Sequence, residues 1–196
     1  MAIVAGVCVL LAAGTTTITI YNLGKPMRTI QSEWSAISGD NGQWVFADGQ
    51  IEAHTTTGDS ILASSEKYGD VTFSAIAKTT NREASLAFRM QDAASGYILN
   101  FTPVGSPGEP NGFVRLRKRI GNDETTLATY QGQRLVATGK SAKITVVAKG
   151  PLIEVFLNGA NVLRAHDTTF TNGYIGFRVY GWGDSPCDAT FSHVSF

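Results

Sequence analysis

SLAFRMQDAASGYILNF, residues 85–101, consists of two arms of alternating apolar and polar residues around a polar turn at residues 91–96. A period of two on both sides of a turn predicts a β-hairpin with one face packed on a core. The side chains expected on that core face are Leu86, Phe88 and Met90 on the first arm and Tyr97, Leu99 and Phe101 on the second. Arg89 and Asn100 fall on the opposite face, so the hairpin predicts a sheet surface that carries polar planar groups.

The rest of the chain repeats this pattern of short strands and turns. From residue 15 onward, β-branched or alternating runs are separated by turns rich in Gly, Asn and Pro, and no run has a convincing helical period. The Asn-Gly pair at residues 158–159 is the strongest hairpin signal among them. With 196 residues and 43% hydrophobic content, the chain can bury one sizeable core. We therefore expect an all-β sandwich or jelly roll.

The N-terminal segment has a different composition. Residues 2–13 are continuously apolar, but these twelve residues are too few to span a bilayer, which takes roughly twenty. One hypothesis is an export signal cleaved before Thr15, which predicts a secreted or cell-surface protein. The other is a retained strand, either added to this domain or donated to a neighbouring subunit, which predicts a homo-oligomer assembled through residues 2–20. The chain is accordingly divided into residues 1–33 and a jelly-roll domain of residues 34–196.

The charged residues exclude one class of partner. The formal net charge is zero, so the chain lacks the Lys/Arg excess that nucleic-acid binding requires. Arg115, Arg117 and Arg119 alternate along one predicted strand, where they form either a solvated face or a contact for a ligand or an anion. The two cysteines and three histidines show no spacing typical of a metal site, so we expect no metal and no cofactor.

Five motifs occur in an order that resembles a known family. They are WVFADGQI, ILASSEKYGDV, LAFR, IEVFLNG and GYIGF, at residues 44–51, 61–71, 86–89, 153–159 and 173–177. This order resembles the 3-keto-disaccharide hydrolase-like domain over about residues 34–196. Residues 88–97 and 114–118 are also similar to the fructan-binding modules of glycoside hydrolases. Both families share the concanavalin A-like, laminin-G-like jelly roll, so the resemblance implies a two-sheet sandwich of that type.

The resemblance also implies a carbohydrate ligand on the concave sheet or its rim. Alternation along residues 174–180 predicts that Phe177 and Val179 face the core, while Arg178 and Tyr180 face outward. An aromatic ring can stack on a sugar face while charged groups bind its hydroxyls. The expected ligand-binding residues are Arg89, Asn100, Arg178, Tyr180, Trp182 and Asp184.

An enzymatic function is the main alternative. The family name implies a glycoside hydrolase of the 3-keto-disaccharide type, but the sequence contains neither the Glu-x-Asp-x-x-Glu strand of laminarinase-type hydrolases nor a Gly-x-Ser-x-Gly elbow. Asp70 and Asp92 are candidate carboxylates, yet both lie near turns, where Asp is common for backbone reasons. No catalytic residue is therefore assigned. The third hypothesis is a structural subunit of a surface fibre, assembled through the N-terminal segment.

Overall fold

A computed structural model describes residues 21–22, 25–26, 33–38, 42–182 and 185–196. The apolar run at residues 2–13, with its alternative roles as export signal or retained strand, lies outside the described residues. The strands of the N-terminal half are β1 (Tyr21–Asn22), β2 (Lys25–Pro26), β3 (Trp34–Ser38), β4 (Gly42–Ala47), β5 (Gln50–Thr55), β6 (Gly58–Tyr68), β7 (Val71–Thr79), β8 (Ala84–Asp92) and β9 (Ser95–Thr102). Those of the C-terminal half are β10 (Phe113–Ile120), β11 (Asp123–Tyr130), β12 (Ala142–Lys149), β13 (Leu152–Leu157), β14 (Ala160–His166), β15 (Gly173–Gly181) and β16 (Cys187–Ser195).

The strands form two seven-stranded sheets that pack face to face. Sheet I has the order β11-β10-β9-β8-β15-β6-β3, and sheet II has the order β14-β13-β12-β7-β16-β5-β4. Every strand pair in both sheets is antiparallel, and β1 and β2 form a separate antiparallel pair. The prediction of an all-β, concanavalin A-like jelly-roll sandwich is confirmed.

Tight turns join neighbouring strands where the sequence predicts them. Asn158 and Gly159 join β13 to β14 with φ angles of 50° and 83°. Positive φ at both central residues is what a type I′ hairpin requires, and Asn followed by Gly adopts it at least cost. The hairpin of residues 85–101 is also confirmed, with Leu86 opposite Leu99 and Ser85 opposite Asn100.

The core lies between the sheets and is built from alternate residues of each strand. Phe177 of sheet I is at its centre, with ring centroids 4.4 Å from Phe191, 5.1 Å from Trp34 and 5.5 Å from Phe73. All four rings are buried. Because Phe177 and its alternate neighbours on β15 fill this core, the residues between them must point away from it, onto the outer face of sheet I.

A β-bulge in β8 reverses the expected alternation after Phe88. Between Ala87 and Met90, β8 has one residue more than the facing stretch of β15, and Arg89 has a φ of 49°. One extra residue on a strand exchanges the faces of all residues beyond it. Met90 therefore packs with the outward-facing Ala87 instead of with the core, and Arg89 turns toward the interior. The prediction that Met90 shares the core face and Arg89 the outer face is wrong for this reason.

Arg89 closes one end of the sandwich. Its side chain is 1% exposed and donates four hydrogen bonds: Nε to Gly69 O (3.1 Å), Nη1 to Gly150 O (2.8 Å) and Phe170 O (3.1 Å), and Nη2 to Asp70 Oδ1 (3.3 Å). Asp70 also accepts from the backbone N–H of Gly150 at 2.7 Å. The acceptors come from the connections β6–β7, β12–β13 and β14–β15, so one guanidinium ties together three turns.

A second polar cluster near the same end contains Tyr97 and Asp167. The Tyr97 hydroxyl donates to Asp167 Oδ1 at 2.7 Å, and Lys118 Nζ donates to Asp167 Oδ2 at 2.6 Å. Burial, followed by the hydrogen bond to Asp167, raises the pKa of Tyr97 to about 12. Burial acts to raise the pKa of Asp167 as well, but hydrogen bonds from Lys118, Thr169 and Tyr97 outweigh it and hold this pKa below its usual value.

Replacing Asp167 with asparagine is expected to lower the free energy of unfolding by about 2 kcal/mol at pH 7, because a charged hydrogen-bond acceptor is lost. The pKa of Asp167 is depressed in the folded state, so its stabilising contribution is complete above about pH 4 and disappears as the pH falls through the folded-state pKa. Urea unfolding of both proteins between pH 7 and pH 2 measures this. A stability difference that stays constant across that range would contradict the assignment.

Candidate functional site

Nine charged residues in the described part of the chain line a cavity of about 460 Å³ on the outer face of sheet I. We call it the arginine pocket, because its lining includes Arg82, Arg115, Arg117, Arg119 and Arg178. Among the described residues, the lining also includes the carboxylates of Asp59, Glu83, Glu109 and Glu124 and the rings of Phe113, Tyr180 and Trp182. The loop of residues 106–109 forms one wall.

Strand alternation places these side chains in the pocket. On β15, Phe177 and Val179 are fully buried in the core and Arg178 and Tyr180 face away from it, the alternation that the sequence predicts. Arg178 and Tyr180 both line the pocket. On β10, Val114 and Leu116 face the core and the three arginines of that strand face outward. The two strands belong to the same sheet, so their outward-facing charges share one surface.

Arg178 is the buried centre of the pocket. It is 4% exposed, its Nε donates to Asp59 Oδ1 at 2.6 Å and its Nη1 donates to Glu83 Oε1 at 2.6 Å. The other oxygen of Asp59 accepts from Arg119 Nη1 at 2.6 Å. Burial acts to lower the pKa of Arg178, but Glu83 and Asp59 outweigh it and raise this pKa, so the guanidinium stays charged. The pocket therefore has a fixed network of alternating charges.

Asn100 lies beneath this network. It is completely buried, and its Nδ2 donates to Glu83 Oε1 and to Ser85 Oγ, each at 3.0 Å. Its Oδ1 is buried without a hydrogen-bond partner among the described residues. Asn100 thus shares the Glu83 carboxylate with Arg178 and orients it from below.

The aromatic residues occupy the side and the rim of the pocket. The Arg178 guanidinium lies 5.1 Å from the centroid of the Tyr180 ring. Trp182 is 68% exposed, and Arg82 lies 5.9 Å from its ring centroid. An indole this exposed gains little from packing in the fold, so its flat face is available to a ligand.

The structure brings together four of the six predicted ligand residues. Arg178, Tyr180 and Trp182 line the arginine pocket, and Asn100 supports it from below. Arg89 is at the end of the sandwich, where it faces the interior and bonds to turns. Asp184 lies outside the described residues. The candidate carboxylates also lie elsewhere: Asp70 bonds to Arg89, and Asp92 caps the β8–β9 turn through Ala94 N at 2.7 Å.

Several pocket residues are absent from the predicted set. Asp59 and Glu83 come from the start of β6 and from just before β8, and only the cross-strand register places them beside Arg178. For the three arginines of β10 the sequence allows a solvated face or a ligand contact, and the structure places all three in the pocket lining. Their spacing of two residues in the sequence indicates that all three face the same side of the sheet, which is the outer side that Arg178 of β15 also faces.

A second cavity, of about 310 Å³, lies on sheet II. It contains the pair His54 Nδ1–Asp188 Oδ1, at 2.6 Å, and Asp188 also accepts from Asn81 Nδ2 at 3.3 Å. The side chains of His54 and Asp188 are 43% and 52% exposed. A solvated pair of this kind contributes little energy and imposes little geometry, so we place the candidate site in the arginine pocket.

The described residues show neither a metal cluster nor a membrane-spanning helix. No group of three or more His, Cys, Asp or Glu side chains there is arranged to hold a metal ion. Within the same residues, no helix has the length and apolar character needed to cross a bilayer.

Comparison with known proteins identifies the fold and a family. Residues 24–196 match the family model described as a 3-keto-alpha-glucoside-1,2-lyase-like domain, which confirms the resemblance seen in the five motifs. No curated protein matches the chain.

Solved structures of low sequence identity share the fold. One is the carbohydrate-binding module CBM66 from Bacillus subtilis, with 23% identity and a TM-score of 0.66 over 83% of this chain and 93% of that one. Another is described as a native glycosidic hydrolase, with 14% identity and a TM-score of 0.62 over 85% and 90%. A third is a prokaryotic beta-1,3-1,4-glucanase (lichenase) derived from a mouse hindgut metagenome, with 15% identity and a TM-score of 0.59 over 82% and 90%.

Proposed function

The chain belongs to the 3-keto-α-glucoside-1,2-lyase-like domain family, and from that premise we propose that it binds a carbohydrate in the arginine pocket. One observation carries the proposal: the buried Arg178, fixed by Asp59 and Glu83, shares an open cavity with the exposed indole of Trp182. The cavity volume of about 460 Å³ lies within the range of about 300–1,000 Å³ that is typical of small-molecule sites.

The pocket offers both kinds of contact that a sugar needs. A carboxylate has about four acceptor sites, so Asp59 and Glu83 retain acceptor capacity for hydroxyl groups after bonding to arginine. The guanidinium groups donate to hydroxyl and ring oxygens, and the C–H face of a sugar ring packs on Trp182. Because the ion pairs already fix the charged side chains, little conformational entropy is lost when the ligand binds.

Catalysis is the second candidate, and the family name is the observation that favours it. A 1,2-lyase acting on a 3-keto-glucoside must remove the proton next to the keto group and expel the group at C1, which requires a base and an acid. Asp59 and Glu83 are each bonded to Arg178, so one oxygen of each carboxylate is already engaged by a donor. Incubation with a 3-keto-disaccharide distinguishes the two functions, because only the enzyme releases a free sugar from it.

Replacing Trp182 with alanine is expected to weaken glycan binding about 10-fold, because one stacking surface is lost. The indole is 68% exposed, so the fold should be retained. Isothermal titration with the best glycan from an array measures the change. Val45→Ala is the matched control, since Val45 is also a half-exposed apolar residue but lies on sheet II. Equal affinities for wild type and Trp182→Ala would contradict the role of the indole.

The location and assembly of the protein stay predictions. A secreted or cell-surface location is consistent with a glycan ligand, and assembly through residues 2–20 belongs to the fibre hypothesis. Intact mass and size-exclusion chromatography of the native protein test both, because cleavage before Thr15 excludes assembly through residues 2–14.

A further inference from the structure

Some charged side chains of the arginine pocket form ion pairs with one another, and others do not. Three of its five arginines bond to carboxylates: Arg178 to Asp59 and Glu83, Arg119 to Asp59 at 2.6 Å, and Arg117 to Glu124 at 2.7 Å. These pairs use three of the four pocket carboxylates.

Arg115 and Arg82 have no carboxylate within 4.0 Å among the described residues. Arg115 rests on its strand neighbour Phe113, with its guanidinium carbon 4.0 Å from the ring centroid. This contact holds the group in place through the cation–π attraction and leaves its N–H donors unused by the described part of the chain. Arg115 is thus a positioned cation in the pocket wall.

Arg82 is the second cation, and it lies beside Trp182 in the lining of the same pocket. Its Nη2 donates to the backbone carbonyl of Trp182 at 3.4 Å, a long hydrogen bond. Its Nε is buried and has no partner among the described residues. A buried donor without a partner is costly, and a ligand acceptor would remove that cost.

The fourth carboxylate does not cancel these cations. Glu109, an exposed residue of the loop of residues 106–109, lines the pocket and has no ion pair within the described residues. Among the described residues, the pocket therefore has two arginines and one glutamate without an ion pair, although the whole chain has a formal net charge of zero.

We propose that the bound glycan is acidic, and that its carboxylate or sulfate group is held by Arg115 and Arg82. This inference rests on the proposed carbohydrate-binding function and names the class of sugar. A guanidinium presents N–H donors in a planar fork that matches an anionic oxygen pair, and it is less strongly hydrated than an ammonium group. The carboxylates that are paired with arginine then accept hydrogen bonds from the hydroxyl groups of the sugar, while Arg115 and Arg82 bind its anionic group.

Titration of the purified chain with three kinds of oligosaccharide tests the inference. The probes are neutral gluco- and fructo-oligosaccharides, oligogalacturonides for the carboxylate arm, and heparin-derived oligosaccharides for the sulfate arm. We expect either the oligogalacturonides or the heparin-derived oligosaccharides to bind at least 10-fold more tightly than the neutral oligosaccharides at low salt. This difference in affinity should shrink as added salt screens the charges.

Substitutions of single residues show which side chains cause the preference for acidic glycans. Arg115→Gln and Arg82→Gln are each expected to weaken acidic binding about 10-fold, and to weaken neutral binding several-fold less than that. Glu109→Gln is expected to strengthen acidic binding a few-fold, because it removes the unmatched negative charge. Arg134→Gln, which changes an exposed arginine outside the pocket, should change neither.

The outcomes separate this inference from the proposed function. Equal or tighter binding of neutral glycans would overturn the acidic specificity and leave carbohydrate binding intact. An acidic preference that survives the double variant Arg82→Gln/Arg115→Gln would also overturn it. Failure of every glycan to bind would overturn both proposals.

Discussion

Arg178→Gln is expected to reduce glycan affinity by 100-fold or more. The guanidinium fixes Asp59 and Glu83 through two hydrogen bonds of 2.6 Å, so the substitution removes the central donor and releases both carboxylates. Loss of a buried, charged hydrogen-bond partner costs about 3 kcal/mol or more, which corresponds to about 100-fold in affinity. Isothermal titration of wild type and variant with the same glycan measures it.

This variant needs a companion, because uncompensated carboxylates can also destabilise the fold. Arg178→Lys keeps the positive charge but loses the planar fork, so it should fold normally and bind about 10-fold more weakly than wild type. Thermal unfolding of both variants separates the two effects. If folded Arg178→Lys and Arg178→Gln both bind like wild type, the ligand does not use this network.

Arg89→Met is expected to lower the free energy of unfolding by about 3–5 kcal/mol, the usual range for removing one partner of a buried charged network. The carbonyl groups of Gly69, Gly150 and Phe170 all lose their donor, and each lies in a different turn. For a chain of this length, we expect a drop in Tm of about 10 °C or more.

Arg164→Met is the matched control for Arg89→Met. Arg164 also bonds to a carboxylate, Glu154 at 2.6 Å, but its side chain is 65% exposed, so its loss should cost less than about 1 kcal/mol. Glycan affinity of folded Arg89→Met should equal that of wild type. A stable Arg89→Met that has lost its affinity would instead restore Arg89 to the ligand site.

The sequence predicts the sheet architecture and the outward-facing residues of β15, because both depend on local alternation. Phe177 and Arg178 are adjacent, so once Phe177 is in the core, the direction of Arg178 follows. The same rule fails at Arg89, since alternation is valid only while the pairing register is unbroken. A bulge of one residue leaves no clear signature in the sequence. Here it depends on close packing with Gly173, where an added Cβ would lie 2.4 Å from the backbone of Arg89 and Met90.

The partners of Arg178 could not be predicted for a different reason. Asp59 is 119 residues away from Arg178 in sequence, and Glu83 is 95 residues away. Their contact depends on which strands are neighbours in sheet I and on the register of each pair. Local pattern therefore predicts which side chains face outward, but only the tertiary structure shows which charges neutralise one another.

The central claim is that a carbohydrate binds in the arginine pocket, and amide and indole NMR shifts during a glycan titration test it most directly. We predict saturable shifts for the indole N–H of Trp182 and for the backbone amides of β10 and β15, with sheet II unchanged. Shifts confined to sheet II around His54 and Asp188, or no shifts with any glycan of the panel, would contradict the claim.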